Sequence, residues 1–104
     1  GMNMKYKLYR SFGNLDKDIH RHELVAVEIG ADIDAVTDAL IRAVTDELSG
    51  MPEYQGCKVY AYAPKPVDDT RRTKRYHYEM TGVVAPPNAS KNILIDFGVT
   101  EDAE

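Results

Sequence analysis

The stretch DIDAVTDALIRAVTDELSG, from Asp32 to Gly50, decides the fold that we expect for this chain. Its large aliphatic residues recur at spacings of three and four, at Ile33, Val36, Leu40, Val44 and Leu48. This spacing places them on one side of an α-helix of 3.6 residues per turn. The pattern therefore predicts an amphipathic helix over about residues 33–49, with its aliphatic stripe packed against the rest of the domain.

Both ends of this stretch carry helix signals. Asp32 precedes the first aliphatic residue, where a short carboxylate can accept hydrogen bonds from the free N–H groups of the first turn. Gly50 and Pro52 follow the last one, because glycine tolerates a left-handed cap and proline cannot continue a helix. Charged residues four apart lie on the opposite side, which we expect to face water: Asp38, Arg42 and Asp46.

Length and composition bound the class of protein. The chain has 104 residues, 43% hydrophobic and 29% charged, which is typical of one globular domain, residues 1–104. Its net charge of −4 argues against a general nucleic-acid binder, whose domain is usually basic. Cys57 is the one cysteine of the sequence, so no intrachain disulfide can form. With no apolar run of membrane length and no signal peptide pattern, we expect a cytoplasmic protein.

Alternation of apolar and polar residues predicts five strands, at residues 4–10, 22–29, 57–63, 74–85 and 92–99. The polar segments 11–21 and 64–73 are expected to be loops, and the two prolines of the second exclude a central strand there. Gly1 before Met2 resembles the remnant of a cleaved tag, and the acidic residues 100–104 are expected to fray.

The element order is then β-β-α-β-β-β. Runs of strands around one helix indicate an α+β domain, with the helix on a mostly antiparallel five-stranded sheet. We expect a wide hairpin from the first two strands and a meander from the last three. A β-grasp-like arrangement, with the first and last strands side by side, is one topology for this order.

The sequence contains only weak signals for a metal site, a catalytic nucleophile or a nucleotide-binding site. His20 and His22 could share a strand face, with His77 or Glu28 completing a site, but no third ligand has a zinc-like spacing. Cys57 starts an apolar alternation, where a thiol usually behaves as a buried hydrophobic group. No glycine-rich nucleotide motif occurs. We therefore expect neither a metal nor a cofactor.

A basic and aromatic set is the clearest candidate binding site. It comprises Arg71, Arg72, Lys74, Arg75, Tyr76 and Tyr78, with Tyr60 and Tyr62 on the strand expected to pair with it. Such side chains on a sheet can hold single-stranded nucleic acid through phosphate contacts and base stacking. In an acidic protein, a solvated hairpin whose arginines pair with Asp68 and Asp69 is the plainer interpretation.

The uncovered face of the sheet is the other candidate. A helix is about 10 Å across and strands lie about 4.8 Å apart, so one helix cannot cover a five-stranded sheet. The second sides of the strands carry aromatic and aliphatic residues: Tyr9, Leu24, Ala26, Tyr60, Tyr62 and Leu94. Tyrosine-rich surfaces of this kind form interfaces, although a tyrosine-bearing face in water or a strongly curled sheet would also account for the pattern.

The sequence thus predicts a small binding or assembly module without catalytic machinery, acting through a sheet face or edge as a homodimer or with another protein. A nucleic-acid accessory protein using residues 71–78 is the alternative. A small enzyme or ligand-binding domain is the third, with a pocket between helix and sheet or at a dimer interface. Its acid–base candidates would be Tyr76, His77 and Glu79, but strand alternation predicts that Tyr76 points away from the other two.

Overall fold

In the computed structural model, which describes residues 2–14, 19–67 and 76–104, one α-helix packs on an antiparallel sheet. In chain order the elements are β1 (Met4–Asn14), β2 (Ile19–Gly30), α1 (Ile33–Ser49), a 3₁₀ turn (Pro52–Tyr54), β3 (Lys58–Ala61), β4 (Lys65–Pro66), β5 (Tyr78–Ala85) and β6 (Ile93–Ala103). The α+β class and the predicted helix bounds are confirmed.

The N-terminal cap and the buried stripe of helix α1 are those that its sequence predicts. The Asp32 carboxylate accepts a hydrogen bond of 3.0 Å from the Ala35 N–H, and the buried stripe comprises Val36, Leu40, Val44 and Leu48. The end differs in one detail, because Gly50 adopts right-handed angles, with φ −78° and ψ −8°. The left-handed glycine is Gly56, with φ 80°, at the turn that leads into β3.

The strands are ordered β2-β1-β6-β5-β3, with β4 beside β5, and every pair is antiparallel in the part of the chain that the structure describes. The predicted hairpin of the first two strands and the meander of β3, β5 and β6 are both present. The first and last strands lie side by side, as the β-grasp-like arrangement requires, but they run antiparallel. Strand β2 therefore forms one edge of the sheet, and β3 with β4 forms the other.

Parts of three segments that the sequence predicts to be irregular belong to β-strands. Most of the predicted loop 11–21 is paired, because β1 and β2 continue in register to Asn14 opposite Ile19. The tail does not fray: β6 runs to Ala103, opposite Met4 of β1. Within the predicted loop 64–73, Lys65 and Pro66 pair with the start of β5 at the edge of the sheet, where a proline lacking an N–H is tolerated.

The hydrophobic core lies between α1 and the sheet face toward it, which we call the covered face. Its sheet residues are at most 2% exposed: Tyr6, Leu8, Met80, Val84, Phe97 and Val99. Gly82 lies beneath the C-terminal half of α1, where an added Cβ would be 2.5 Å from Leu48 Cδ1 and 3.0 Å from Val44 Cγ1. The absence of a side chain there lets the helix approach the sheet closely.

Candidate functional site

The sheet face opposite α1, which we call the open face, has no helix over it in the described ranges. Its residues alternate along each strand with those of the covered face. Tyr9, Gly98 and Glu79 therefore form one row across the open face. The neighbouring rows, which contain Leu8 and Arg10, point to the covered face. Thr81 and Asp96 form the next pair across β5 and β6. This face is the surface on which the sequence analysis expected an interface.

Large aliphatic side chains are exposed on the open face. On β2, Leu24, Val27 and Ile29 are 55%, 45% and 50% exposed. Farther from β2 on the same face, Leu94 is 67% exposed and Tyr62 is 55% exposed. A single exposed leucine is ordinary, but three aliphatic residues along one strand form a strip of the kind that marks an interaction surface. We call Leu24, Val27 and Ile29 the β2 strip.

A bulge in the β1–β2 pair determines which β2 residues form this strip. The register shifts between Leu8 and Tyr9, so Leu8 lies opposite Ala26 while Tyr9 lies opposite Leu24. Ala26 therefore faces the core, and its expected place on the open face is wrong. Val27, which an unbroken alternation would place on the other side from Leu24, shares the open face with it. A bulge reverses the alternation of the residues that follow it.

Tyr60 and Tyr62 lie on the open face as predicted, at the β3 edge. Their rings meet edge to face with centroids 5.9 Å apart. Loss of solvent raises the pKa of Tyr60 above its ordinary value, and the neighbouring Tyr62 adds to this effect. The pair covers part of the sheet around Val83, which lies opposite Tyr60 and is 1% exposed.

Tyr78 lies on the covered face and does not share a surface with Tyr60 and Tyr62. Its hydroxyl donates to Glu101 Oε2 at 3.2 Å, and the Tyr6 hydroxyl donates to the same oxygen at 2.8 Å. Burial raises the pKa of both tyrosines, with the Glu101 carboxylate contributing further in each case. This arrangement gives Tyr78 a structural role beside the first turn of α1.

Tyr76 lies on the open face, over Gly98. Its ring contacts Gly98 so closely that a Cβ there would collide with it. The ring centroid lies 6.0 Å from that of Tyr9 and 5.4 Å from that of His22, and the Tyr76 hydroxyl is hydrogen-bonded to His22 Nδ1. Tyr76 thus joins β2 to the centre of the open face.

Clefts lie on two sides of the Tyr76 ring. The smaller, of about 200 Å³, is lined by Tyr9, His22, Tyr76 and Thr100. The larger, of about 360 Å³, is lined mainly by polar residues: Ser11, Tyr76, Glu79, Thr81 and Asp96. The prediction that Tyr76 and Glu79 point apart is wrong, because Tyr76 precedes β5 and strand alternation does not extend to it.

The other candidates for chemistry do not join these clefts. His77 Nδ1 accepts the Glu101 backbone N–H at 3.0 Å. Cys57 is partly buried and packs against the core. Within residues 2–14, 19–67 and 76–104, no three histidine, cysteine, aspartate or glutamate side chains come together as a metal site. The expected basic set of Arg71, Arg72, Lys74 and Arg75 lies outside the described residues.

Comparison with known proteins assigns no family. No family model matches this chain, and no curated protein or solved structure matches it significantly. Among the described residues, no helix combines the length and the apolar character needed to cross a membrane.

The sequence predicts an interface at a sheet face or edge but does not single out the outer edge of β2. Its signal was present as an unbroken run without proline or glycine from Ile19 to Ile29, rich in β-branched and aliphatic residues. Nothing local in the sequence, however, shows that β2 rather than β1 or β6 lies at the edge. Strand order depends on pairing between distant segments.

Proposed function

We propose that this protein is a small assembly module that forms a homodimer through the outer edge of β2 and the β2 strip beside it. The observation that supports this most directly is the exposure of Leu24, Val27 and Ile29 on a strand that is itself an edge. An edge strand presents unpaired N–H and C=O groups, which a second strand can satisfy. The single cysteine is consistent with action in the cytoplasm.

The two edges of the sheet differ in their suitability for pairing. Strand β3 has four residues and β4 has two, and Pro64 and Pro66 remove N–H groups from that edge. Short strands and prolines are common protections against edge-to-edge association. Strand β2 has 12 residues and no proline. In the described residues it is paired with β1 alone.

The β2 strip supplies the apolar area that backbone pairing alone lacks. Full burial of one aliphatic side chain contributes about 1.5–3 kcal/mol, and these side chains are already about half buried. Two copies contribute the strip twice, on the same side of a continuous sheet. This gain offsets part of the cost of association.

The nucleic-acid alternative receives less support from the described residues. Tyr78, one of its expected stacking residues, donates a hydrogen bond to Glu101 on the covered face. Tyr60 and Tyr62 pack against each other at the β3 edge. Tyr60, Tyr62 and Tyr76 therefore lie on the open face while Tyr78 lies on the covered face, so the set as a whole does not form one stacking platform.

Sedimentation equilibrium over a wide concentration range tests the proposal. We expect a dimer for the unaltered protein and a monomer for Val27→Lys, because a lysine in the strip places two charges beside the paired edge. Leu94→Lys is the matched control, since Leu94 is exposed on the same face but lies on β6. A monomer at hundreds of micromolar for the unaltered protein would contradict the proposal. Dissociation by Leu94→Lys alone would point to face-to-face association instead.

A further inference from the structure

We infer that two copies of the chain pair their β2 strands antiparallel on both sides of the β2 bulge, with Arg21 of each copy facing Glu28 of the other. This inference depends on the proposed homodimer and specifies the partner segment and the register. It follows from three properties of β2: its length, the face to which each residue points and the distribution of its charges.

The length of β2 selects the register. The strand runs from Ile19 to Gly30, so full overlap of two antiparallel copies sets Ile19 opposite Gly30 of the other copy. That register uses the edge on both sides of the bulge, and pairing is interrupted only at Leu24 and Val25, where the bulges of the two copies meet. It also sets Arg21 opposite Glu28 of the second copy and places the two-fold axis between Leu24 and Val25.

The bulge makes this register possible on the correct faces. Residues opposite each other in a sheet must point to the same face. Within the chain, Arg21 lies opposite Phe12 and Glu28 lies opposite Tyr6, and both positions belong to the covered face. Seven residues apart on a regular strand, they would point to opposite faces. The register shift between Leu8 and Tyr9 brings them to the same one.

The same register joins the two β2 strips. On the open face it sets His22 opposite Val27 of the second copy, with the two Leu24 side chains on either side of the axis. His22 is held by its hydrogen bond to Tyr76, so the polar neighbour of Val27 already has a partner within its own chain. The aliphatic residues of both copies then form one continuous strip.

The charges fit on the covered face. Arg21 is held in an exposed position, with its Nε 3.1 Å from Glu23 Oε1 and its guanidinium 4.5 Å from the centre of the Phe12 ring. Its Nη groups carry further donors, so it can bind a second carboxylate. Glu28 lines a cleft between β2 and α1 with Asp38, Arg42 and Asp46, where three carboxylates face one guanidinium. An incoming arginine meets an excess of negative charge there.

Neighbouring registers lack this fit. Sliding one copy by two residues in one direction sets Glu23 opposite Glu28 of the other, and like charges directly opposite are unfavourable. Sliding it in the other direction sets Arg21 opposite Ala26 and brings no opposite charges together. The register of full overlap is therefore also the one with complementary charges.

Charge reversal with a mixing experiment tests the register. We expect Arg21→Glu alone and Glu28→Arg alone each to weaken the homodimer by about tenfold at low ionic strength, since each creates two like-charged contacts. An equimolar mixture of the two variants should form a heterodimer about as tight as the unaltered dimer. In that heterodimer each of the two contacts between positions 21 and 28 again joins one acidic and one basic side chain. Native mass spectrometry with one variant isotopically labelled measures the heterodimer, and Lys58→Glu on β3 is the charge-reversal control.

The possible results separate the register from the proposed function. Weakened homodimers with recovery on mixing support the register, and the recovery also shows that both variants fold. A dimer that Val27→Lys dissociates but that neither charge reversal weakens would overturn the register and leave the β2 interface standing. A monomeric unaltered protein would overturn the proposed function and this inference with it.

Discussion

Both faces of the sheet carry large aliphatic residues, but these are buried on the covered face and several of them are exposed on the open face. On the covered face, Leu8 and Val99 are fully buried under α1. On the open face, Val27 and Leu94 are about half exposed or more. Burying an aliphatic side chain stabilises a fold only if something covers it. The exposed aliphatic residues of the open face therefore contribute little to folding one copy, and the proposed dimer would bury those of β2.

The largest difference between the faces is expected for leucine truncation. Leu40→Ala removes a fully buried side chain from the centre of α1 and should lower the free energy of unfolding by about 2–5 kcal/mol. Leu94→Ala removes an exposed one and should change it by no more than about 0.5 kcal/mol. Urea unfolding followed by circular dichroism measures both. Similar losses would show that the open face is covered after all.

Glycine substitution gives a second, smaller contrast. Gly82→Ala places a Cβ against Leu48 and Val44 of α1, and we expect a loss of about 1–3 kcal/mol because the packed helix cannot move aside freely. Gly98→Ala places a Cβ against the ring of Tyr76. That ring lies on the open face and can turn toward solvent, so we expect a smaller loss, together with the loss of its hydrogen bond to His22. Urea unfolding and the NMR signals of the His22 ring distinguish the two outcomes, and equal losses would contradict the contrast.

The elements that the sequence predicts well are those with local causes. The bounds of α1 follow from the Asp32 cap and the aliphatic stripe, which are adjacent in the chain. The alternation of β1, β3 and β6 likewise places Tyr6, Tyr60 and Leu94 on the correct faces. These signals depend on the periods of the helix and the strand and need no knowledge of the partner segments.

The features that the sequence does not predict depend on distant pairing. Residues 11–14 look like a loop because Gly13 and Asn14 are typical of turns, yet β2 pairs with them. The bulge that places Val27 on the open face leaves no local mark. Tyr76 reaches the open face because it lies just before β5. The sequence prediction of a strand over residues 74–85 places it on the opposite face. Tertiary context decides each of these cases.

Removing one hydroxyl from the covered face should have the smallest of the three effects. Tyr6 and Tyr78 both donate to Glu101, so Tyr6→Phe leaves the carboxylate with one of its two tyrosine donors. We expect a loss of about 0.5–1.5 kcal/mol at neutral pH, typical of one hydrogen bond. Tyr62→Phe is the control, because Tyr62 is an exposed tyrosine of the open face and should change the free energy of unfolding by less than about 0.5 kcal/mol.

The pH dependence of this effect has a definite sign. Burial raises the pKa of Tyr6 and of Tyr78 in the folded protein, whereas tyrosines in the unfolded chain have a pKa of about 10. The unfolded chain then loses its protons first, so the stability present below about pH 10 is lost as the pH rises toward the folded pKa values. Tyr6→Phe removes one of these groups, so its stability should fall less steeply between about pH 9 and about pH 11. Urea midpoints across that range test this, and parallel curves for both proteins would show that Tyr6 ionises equally in the folded and unfolded chains.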